Sequence, residues 1–161
     1  MQSTGPVPAP LPYIAVVGAS SATEAQLAAA ETVGRTLGEA GATVITGGRG
    51  GVMEAASRGA ASAGATTIGL LPGSDRAEAN PYVSVAIPTG LGELRNGLII
   101  RAADAVVAVG GAYGTLSEVA LALRAGLPVV GVDTWAIDGI EHVPTAAQAA
   151  QRALEHARAN A

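Results

Sequence analysis

Three stretches of this 161-residue chain concentrate glycine where a backbone could meet a phosphate: Gly18-Ala-Ser-Ser21, Gly47-Gly-Arg-Gly-Gly51 and Gly110-Gly-Ala-Tyr-Gly-Thr115. Lacking a side chain, glycine lets backbone N–H groups come close to an anion. A helix opening directly after such a loop adds a favourable dipole worth a few tenths to about 1 kcal/mol. Gly18 and Ser20 in the first loop, Gly47, Gly48 and Gly51 in the second, and Gly110, Gly111, Gly114 and Thr115 in the third are the candidate ligand-binding positions. Tight strand-to-helix turns also use glycine, so one loop alone would say little; three loops on one edge of a sheet point to a ligand site. None has the Gly-x-Gly-x-x-Gly spacing of dinucleotide enzymes.

Two charged residues could act at that edge. Arg95 falls in the first turns of an expected helix that follows a strand, where a guanidinium forms a fork for phosphate or carboxylate. The alternative is an arginine lying along the helix surface. Thr115-Leu-Ser-Glu118 reads as a capping box, in which Thr and Glu satisfy each other's backbone donors at a helix start. A carboxylate there could equally serve as a base or stabilise a developing sugar cation, so for Glu118 both roles stay open. Arg101 suits the helix C-terminal dipole, Met53 packing of a helix on the sheet, and Asp104 a turn before a strand. Asp75, Arg76 and Glu78 belong to a long, solvated loop. His142 and His156, fourteen apart with no carboxylate at ligand spacing, predict no metal site.

Composition removes several chemistries. All nine Lys+Arg positions are arginine, so the chain has no lysine for a pyridoxal phosphate imine or a Walker-type phosphate contact. With no cysteine there is neither a thiolate nucleophile nor a disulfide framework, and a cytoplasmic setting is expected. A net charge of −4 with singly scattered arginines predicts no nucleic-acid partner. No apolar run approaches the roughly 18 residues of a membrane span. Residues 1–10 hold three prolines and no positive charge, which predicts a flexible tail rather than a signal peptide, with residues 11–161 forming one domain.

Apolar runs and helical spacings alternate along that domain. Strands are expected at residues 13–18, 42–46, 66–71, 83–87, 105–109 and 128–132, and helices at 23–40, 52–63, 91–103, 116–125 and 145–160. Helical spacing of Leu91, Leu94, Leu98 and Ala102 supports the third helix. Strands joined through helices make a parallel sheet with helices on both faces, so the fold class is doubly wound, Rossmann-like α/β. Ligands in such folds bind beyond the carboxyl ends of the strands, near the topological switch point.

Gly47-Gly-Arg-Gly-Gly-Val-Met53 and Gly110-Gly-Ala-Tyr-Gly-Thr-Leu-Ser-Glu118 resemble the paired signatures of the LONELY GUY family, cytokinin-activating phosphoribohydrolases also labelled lysine-decarboxylase-like. The resemblance covers roughly residues 13–132. It implies hydrolysis of a nucleoside 5′-monophosphate to free base and ribose 5-phosphate, with Arg95 and Glu118 catalytic and no cofactor. It also implies a homodimer or higher homo-oligomer, for which the apolar helix at residues 116–125 is a suitable face. The chain departs from the pattern at Asn96, where the family has lysine, at Glu93-Leu94 in place of His-Glu, and at Gly110-Gly-Ala112 in place of Pro-Gly-Gly. These changes look more like the shorter members of the group, which are similar to the molybdenum cofactor carrier proteins of algae. That likeness implies a carrier or binding protein for a pterin phosphate or nucleotide without bond cleavage. The missing lysine counts against decarboxylation through pyridoxal phosphate.

Overall fold

Between its end residues, Tyr13–Gly18 is all alanine, valine and isoleucine. It forms the first strand (β1) of the computed structural model, which describes Gly5 and residues 10–161. Residues 1–10, expected as a tail, fall largely outside the described residues. Thr23 starts helix α1 (Glu24–Glu39) with a reciprocal cap: its hydroxyl accepts from the Gln26 N–H at 3.2 Å, and the Gln26 side-chain oxygen accepts from the Thr23 N–H at 3.1 Å. The chain continues through β2 (Thr43–Thr46), α2 (Val52–Ser62), β3 (Thr67–Leu71), β4 (Val85–Pro88), α3 (Arg95–Ala102), β5 (Ala105–Val109), α4 (Tyr113–Arg124), β6 (Val129–Val132), β7 (Glu141–His142) and α5 (Ala146–Ala159).

The seven strands are ordered β4-β3-β2-β1-β5-β6-β7, and every pairing is parallel. The period of two sorts each strand's residues onto opposite faces. Ile14, Val16, Val44 and Val107 pack under α1, α2 and α5, while Ala15, Val17, Ile45 and Val106 pack under α3 and α4. The doubly wound expectation therefore holds. The order runs outward from β1 in both directions, so the switch point lies between β1 and β5, where their carboxyl ends diverge into α1 and α4. Helices α1 and α2 meet backbone to backbone: a Cβ on Gly34 would lie 2.0 Å from the Ala56 carbonyl oxygen, and one on Gly59 2.0 Å from that of Glu31. Only glycine permits this approach, which lets both helices sit on the same stretch of sheet.

Four expectations need correction. The helix expected at residues 91–103 is split: Gly92–Leu94 make one 3-10 turn and the α-helix starts only at Arg95. Gly90 and Gly92 carry φ of 66° and 58°, which a continuous helix excludes. The Leu91, Leu94, Leu98 spacing marks the solvent face, Leu94 being 78% exposed, while Asn96, Ile99 and Ile100 turn inward. Helix α4 begins at Tyr113, three residues before the expected start, because Thr115 caps it as its third residue. The fourth strand is shifted to Val85–Pro88, and the short β7, too brief for a period to show, was not foreseen. No helix among the described residues is long and apolar enough to cross a membrane.

Candidate functional site

The earlier start of α4 rearranges its N-terminal chemistry. Thr115 Oγ1 accepts from the Ala112 N–H at 3.3 Å, and the Leu116 N–H bonds the Ala112 carbonyl, so the cap closes between Ala112 and Thr115. The capping box expected between Thr115 and Glu118 is therefore absent. Glu118 stands one turn further in and is only 7% exposed. Its carboxyl is pushed up to about 7, chiefly because burial penalises the charge and only partly offset by the field of Arg95. A carboxyl poised near neutrality can give or take a proton at physiological pH.

Arg95 is the first residue of α3 and reaches across the sheet edge. Its Nη1 donates to the carbonyl of Gly47 at 2.6 Å and to that of Leu70, while its Nε donates to Asn96 Oδ1 at 2.8 Å. Burial is the largest influence on its pKa and lowers it, Glu118 acts the other way, and Arg49 adds a further lowering. Asn96, itself buried, passes the connection on: its Nδ2 donates to Ser117 Oγ at 3.2 Å, and that hydroxyl donates to the Gly114 carbonyl at 2.7 Å. A hydrogen-bonded rail thus runs from the guanidinium to the first turn of α4. Sequence reasoning noted Asn96 only as a departure and missed Ser117. Its place one helical turn after Gly114 was the available signal.

These groups surround a cavity of about 180 Å³ at the switch point, lined by Gly18, Ser20, Met53, Arg95, Asn96, Gly114, Thr115 and Glu118. Of the positions singled out from sequence, Gly18, Ser20, Arg95, Gly114, Thr115 and Glu118 are brought together here. Met53, expected only to pack its helix, lines the same space. The first-turn N–H groups of α4 have no partner within their own helix, so the floor of the cavity favours an anion.

The second glycine loop lies elsewhere. Gly47 and Gly48 are buried; the Gly47 carbonyl holds Arg95, and the Gly48 N–H donates to Thr46 Oγ1 at 3.0 Å. Gly51, at φ 65°, opens α2 and packs under the carbonyls of Ala19 and Ser20. It lines a neighbouring hollow of about 330 Å³ with Ser20, Glu54 and Arg58. Gly110 and Gly111 line a third hollow, with Gln26, Asp133, Thr134 and Trp135, none of which the sequence pattern had marked. Among the described residues no three His, Cys, Asp or Glu side chains gather in a way that could hold a metal ion.

The chain is 39% identical over 122 residues to an uncharacterized protein of Archaeoglobus fulgidus, covering 76% of this chain and 80% of that one. Among solved structures it is similar to the molybdenum cofactor binding protein of the phototrophic bacterium Rippkaea orientalis, with 33% identity, 91% and 96% of the two chains covered, and a TM-score of 0.85. It is also similar to the Moco carrier protein of Chlamydomonas reinhardtii, with 35% identity, 94% and 100% covered, and a TM-score of 0.84. A family model matches residues 11–160, nearly the whole domain described above, and the chain belongs to the SLOG cluster4 family.

Proposed function

We propose that this protein binds a phosphate-bearing pterin or nucleotide in the cavity at the β1/β5 switch point and holds it without cleaving it. The observation that carries the reading is the meeting, around one 180 Å³ cavity, of the α4 N-terminus, Arg95 and a carboxyl near neutrality. A neutral Glu118 does not repel a phosphate and can donate a hydrogen bond to it. Arg95 has donors committed to Gly47, Leu70 and Asn96, so it acts as a fixed positive wall rather than a mobile clamp. The likeness to proteins described as molybdenum cofactor binding and Moco carrier supports a holding function.

Hydrolysis is the second reading, and the Glu118 carboxyl at about 7 favours it. Water would add across the N-glycosidic bond, hydroxyl to C1′ and proton to the leaving base, with Glu118 taking the proton from water. Titration calorimetry with AMP and GMP, followed by chromatography of the same samples, separates the two. Binding without release of base above a protein-free control is the expected result. Catalytic release of base and ribose 5-phosphate would replace the carrier reading by the hydrolase reading.

We also infer that two or more copies associate through α3, α4 and the turn before α3, which leave Leu94, Leu98, Tyr113 and Leu121 exposed, Tyr113 being 89% exposed. Sedimentation should show a dimer or larger species at micromolar concentration; a strict monomer refutes this.

A further inference from the structure

The hollow beside the third glycine loop has the parts of a base-recognition subsite. It measures about 270 Å³ and is separated from the Arg95–Glu118 cavity by a single loop, with Gly110 and Gly111 lining one side and Ala112, Gly114 and Thr115 the other. Trp135, the only tryptophan in the chain, stands over Gly111 so closely that a Cβ there would lie 2.6 Å from indole Cζ3. Gln26 covers Gly110 in the same way, 2.4 Å from where a Cβ would be. Both glycines are at positive φ, 56° and 149°, and neither leaves room for a side chain beneath the indole and the amide that lie against the loop.

Asp133 is the second independent feature. At φ 50° it is the only non-glycine residue at positive φ among the described residues, and it follows β6 directly at the carboxyl edge of the sheet. Such conformations concentrate at ligand clamps. Neighbours hold it in place: Gln26 Nε2 donates to Asp133 Oδ2 at 3.1 Å, and Thr134 Oγ1 donates to the Gly110 carbonyl at 2.7 Å. Asp133 is exposed, and among the described residues no hydrogen bond reaches its Oδ1. A carboxylate beside an indole matches a planar heterocycle with two adjacent N–H donors, one face for stacking and one edge for the acid.

From this geometry we propose that Gln26, Gly110, Gly111, Asp133 and Trp135 form a subsite for a 2-amino-4-oxopyrimidine edge, the donor pattern shared by guanine and pterins. The amino group and the neighbouring ring N–H would both face the Asp133 carboxylate, with the ring against Trp135. Adenine places an acceptor beside its amino group and mismatches the acid, and hypoxanthine lacks the amino group. This deepens the proposed binding function and rests on it.

The test uses the full chain and calorimetric titration with guanosine, inosine, GMP and IMP, together with 6-hydroxymethylpterin. Guanosine should bind roughly tenfold or more tighter than inosine, as should GMP over IMP, on the scale of one lost bidentate contact. Quenching of the single tryptophan should follow the same order. Whichever of guanosine and hydroxymethylpterin binds tighter identifies the source of the shared edge. Asp133→Asn keeps a side chain that tolerates the left-handed backbone and removes the charge, so it should bring the guanosine-to-inosine ratio near one. Equal binding of guanosine and inosine by the wild-type protein overturns the subsite, and this ratio requires no variant to fold. So does a preference undiminished in Asp133→Asn, or no binding of any of these compounds at millimolar concentration. The gain from adding the 5′-phosphate reports on the phosphate cavity separately. If that gain is absent while the base preference persists, the proposed function fails at its phosphate and the subsite stands.

Discussion

The loop after β2 and the loop after β5 have similar composition and opposite uses. In Gly47-Gly-Arg-Gly-Gly51 three of the four glycines meet the protein itself: the Gly47 carbonyl holds Arg95, the Gly48 N–H is taken by Thr46, and Gly51 is wedged under Ala19 and Ser20. In Gly110-Gly-Ala-Tyr-Gly-Thr115 residues 111–114 are exposed, with a cavity on each side of the loop and an uncrowded Gly114 at the start of α4. The first loop builds the wall, and the second presents the surface. Glycine richness at the end of a strand therefore marks close backbone approach, and what approaches can be the protein itself. If this contrast is right, substitutions in the first loop should damage folding and substitutions in the second should damage binding.

The largest effect is expected at Gly51. Alanine there must adopt φ 65° and ψ −131°, a conformation reserved for glycine, and its Cβ would lie 2.3 Å from the Ala19 carbonyl and 2.5 Å from that of Ser20. Both obstacles are backbone and cannot swing away. Strain and overpacking together should cost about 5 kcal/mol, enough to unfold a domain of ordinary stability. Urea denaturation of Gly51→Ala showing a midpoint near wild type would break the comparison at its first loop.

Arg95→Ala tests the wall next. The substitution removes charge-assisted bonds to the buried carbonyls of Gly47 and Leu70 and the contact to Asn96. A loss of about 4 kcal/mol is expected by thermal or chemical denaturation. Without the guanidinium, Glu118 also loses the one field that lowers its pKa, so its carboxyl should titrate higher still, which is measurable by NMR.

The contrast between the loops also explains what could be read from sequence. The succession of strands and helices and the two-faced sheet followed from short apolar runs separated by helical spacings; Ala105–Val109 was placed to the residue, because a fully buried parallel strand is a continuous apolar run. Gly18, Gly114 and Thr115, which line one cavity, stood out because they belong to the glycine loops that follow strands. The inward role of Gly47 and Gly48 was not legible, since a loop that grips its own arginine has the same composition as one that grips a phosphate. Of the two roles left open for Glu118, the cap fails because Thr115 caps an earlier helix start, and only the contact of Ala112 with Thr115 reveals that start. The Leu91, Leu94, Leu98 spacing was seen, but a period alone does not say which side faces the core. Asp133 and Trp135 follow an ordinary strand with no glycine loop after it, and the subsite proposed for them rests on a backbone angle and a contact across the sheet edge.

Glu118→Gln should act in the stabilising direction. The folded carboxyl titrates at about 7 against an ordinary value of 4.5, so between these pH values the native state holds a proton that the unfolded chain has released. Stability from this group is fully present below the lower value, falls as pH rises toward 7, and is level above it. The span corresponds to about 3 kcal/mol. Glutamine is neutral throughout, so the variant should match wild type near pH 4 and exceed it by about 3 kcal/mol near pH 8. Equal stability of the two proteins at both pH values would mean that Glu118 is better solvated than its burial implies.

The smallest effect on stability belongs to Gly114→Ala, and that smallness is its use. Gly114 sits in the first turn of α4, at a backbone conformation open to any residue, and a Cβ built there meets nothing within 4 Å. Alanine loses less backbone entropy than glycine on entering a helix, so the variant should be unchanged or more stable by up to about 0.5 kcal/mol. The added methyl, however, stands at the edge of the cavity that Arg95, Thr115 and Glu118 line, next to the N–H groups proposed to receive a phosphate. A phosphate kept from those donors loses hydrogen bonds that water then takes up, and roughly tenfold weaker binding of GMP is expected. Calorimetry and a melting curve on the same preparation supply both numbers. Normal affinity in a fully folded Gly114→Ala protein would show that the phosphate does not use the start of α4, and the outward loop would lose its assigned purpose while the inward loop kept its own.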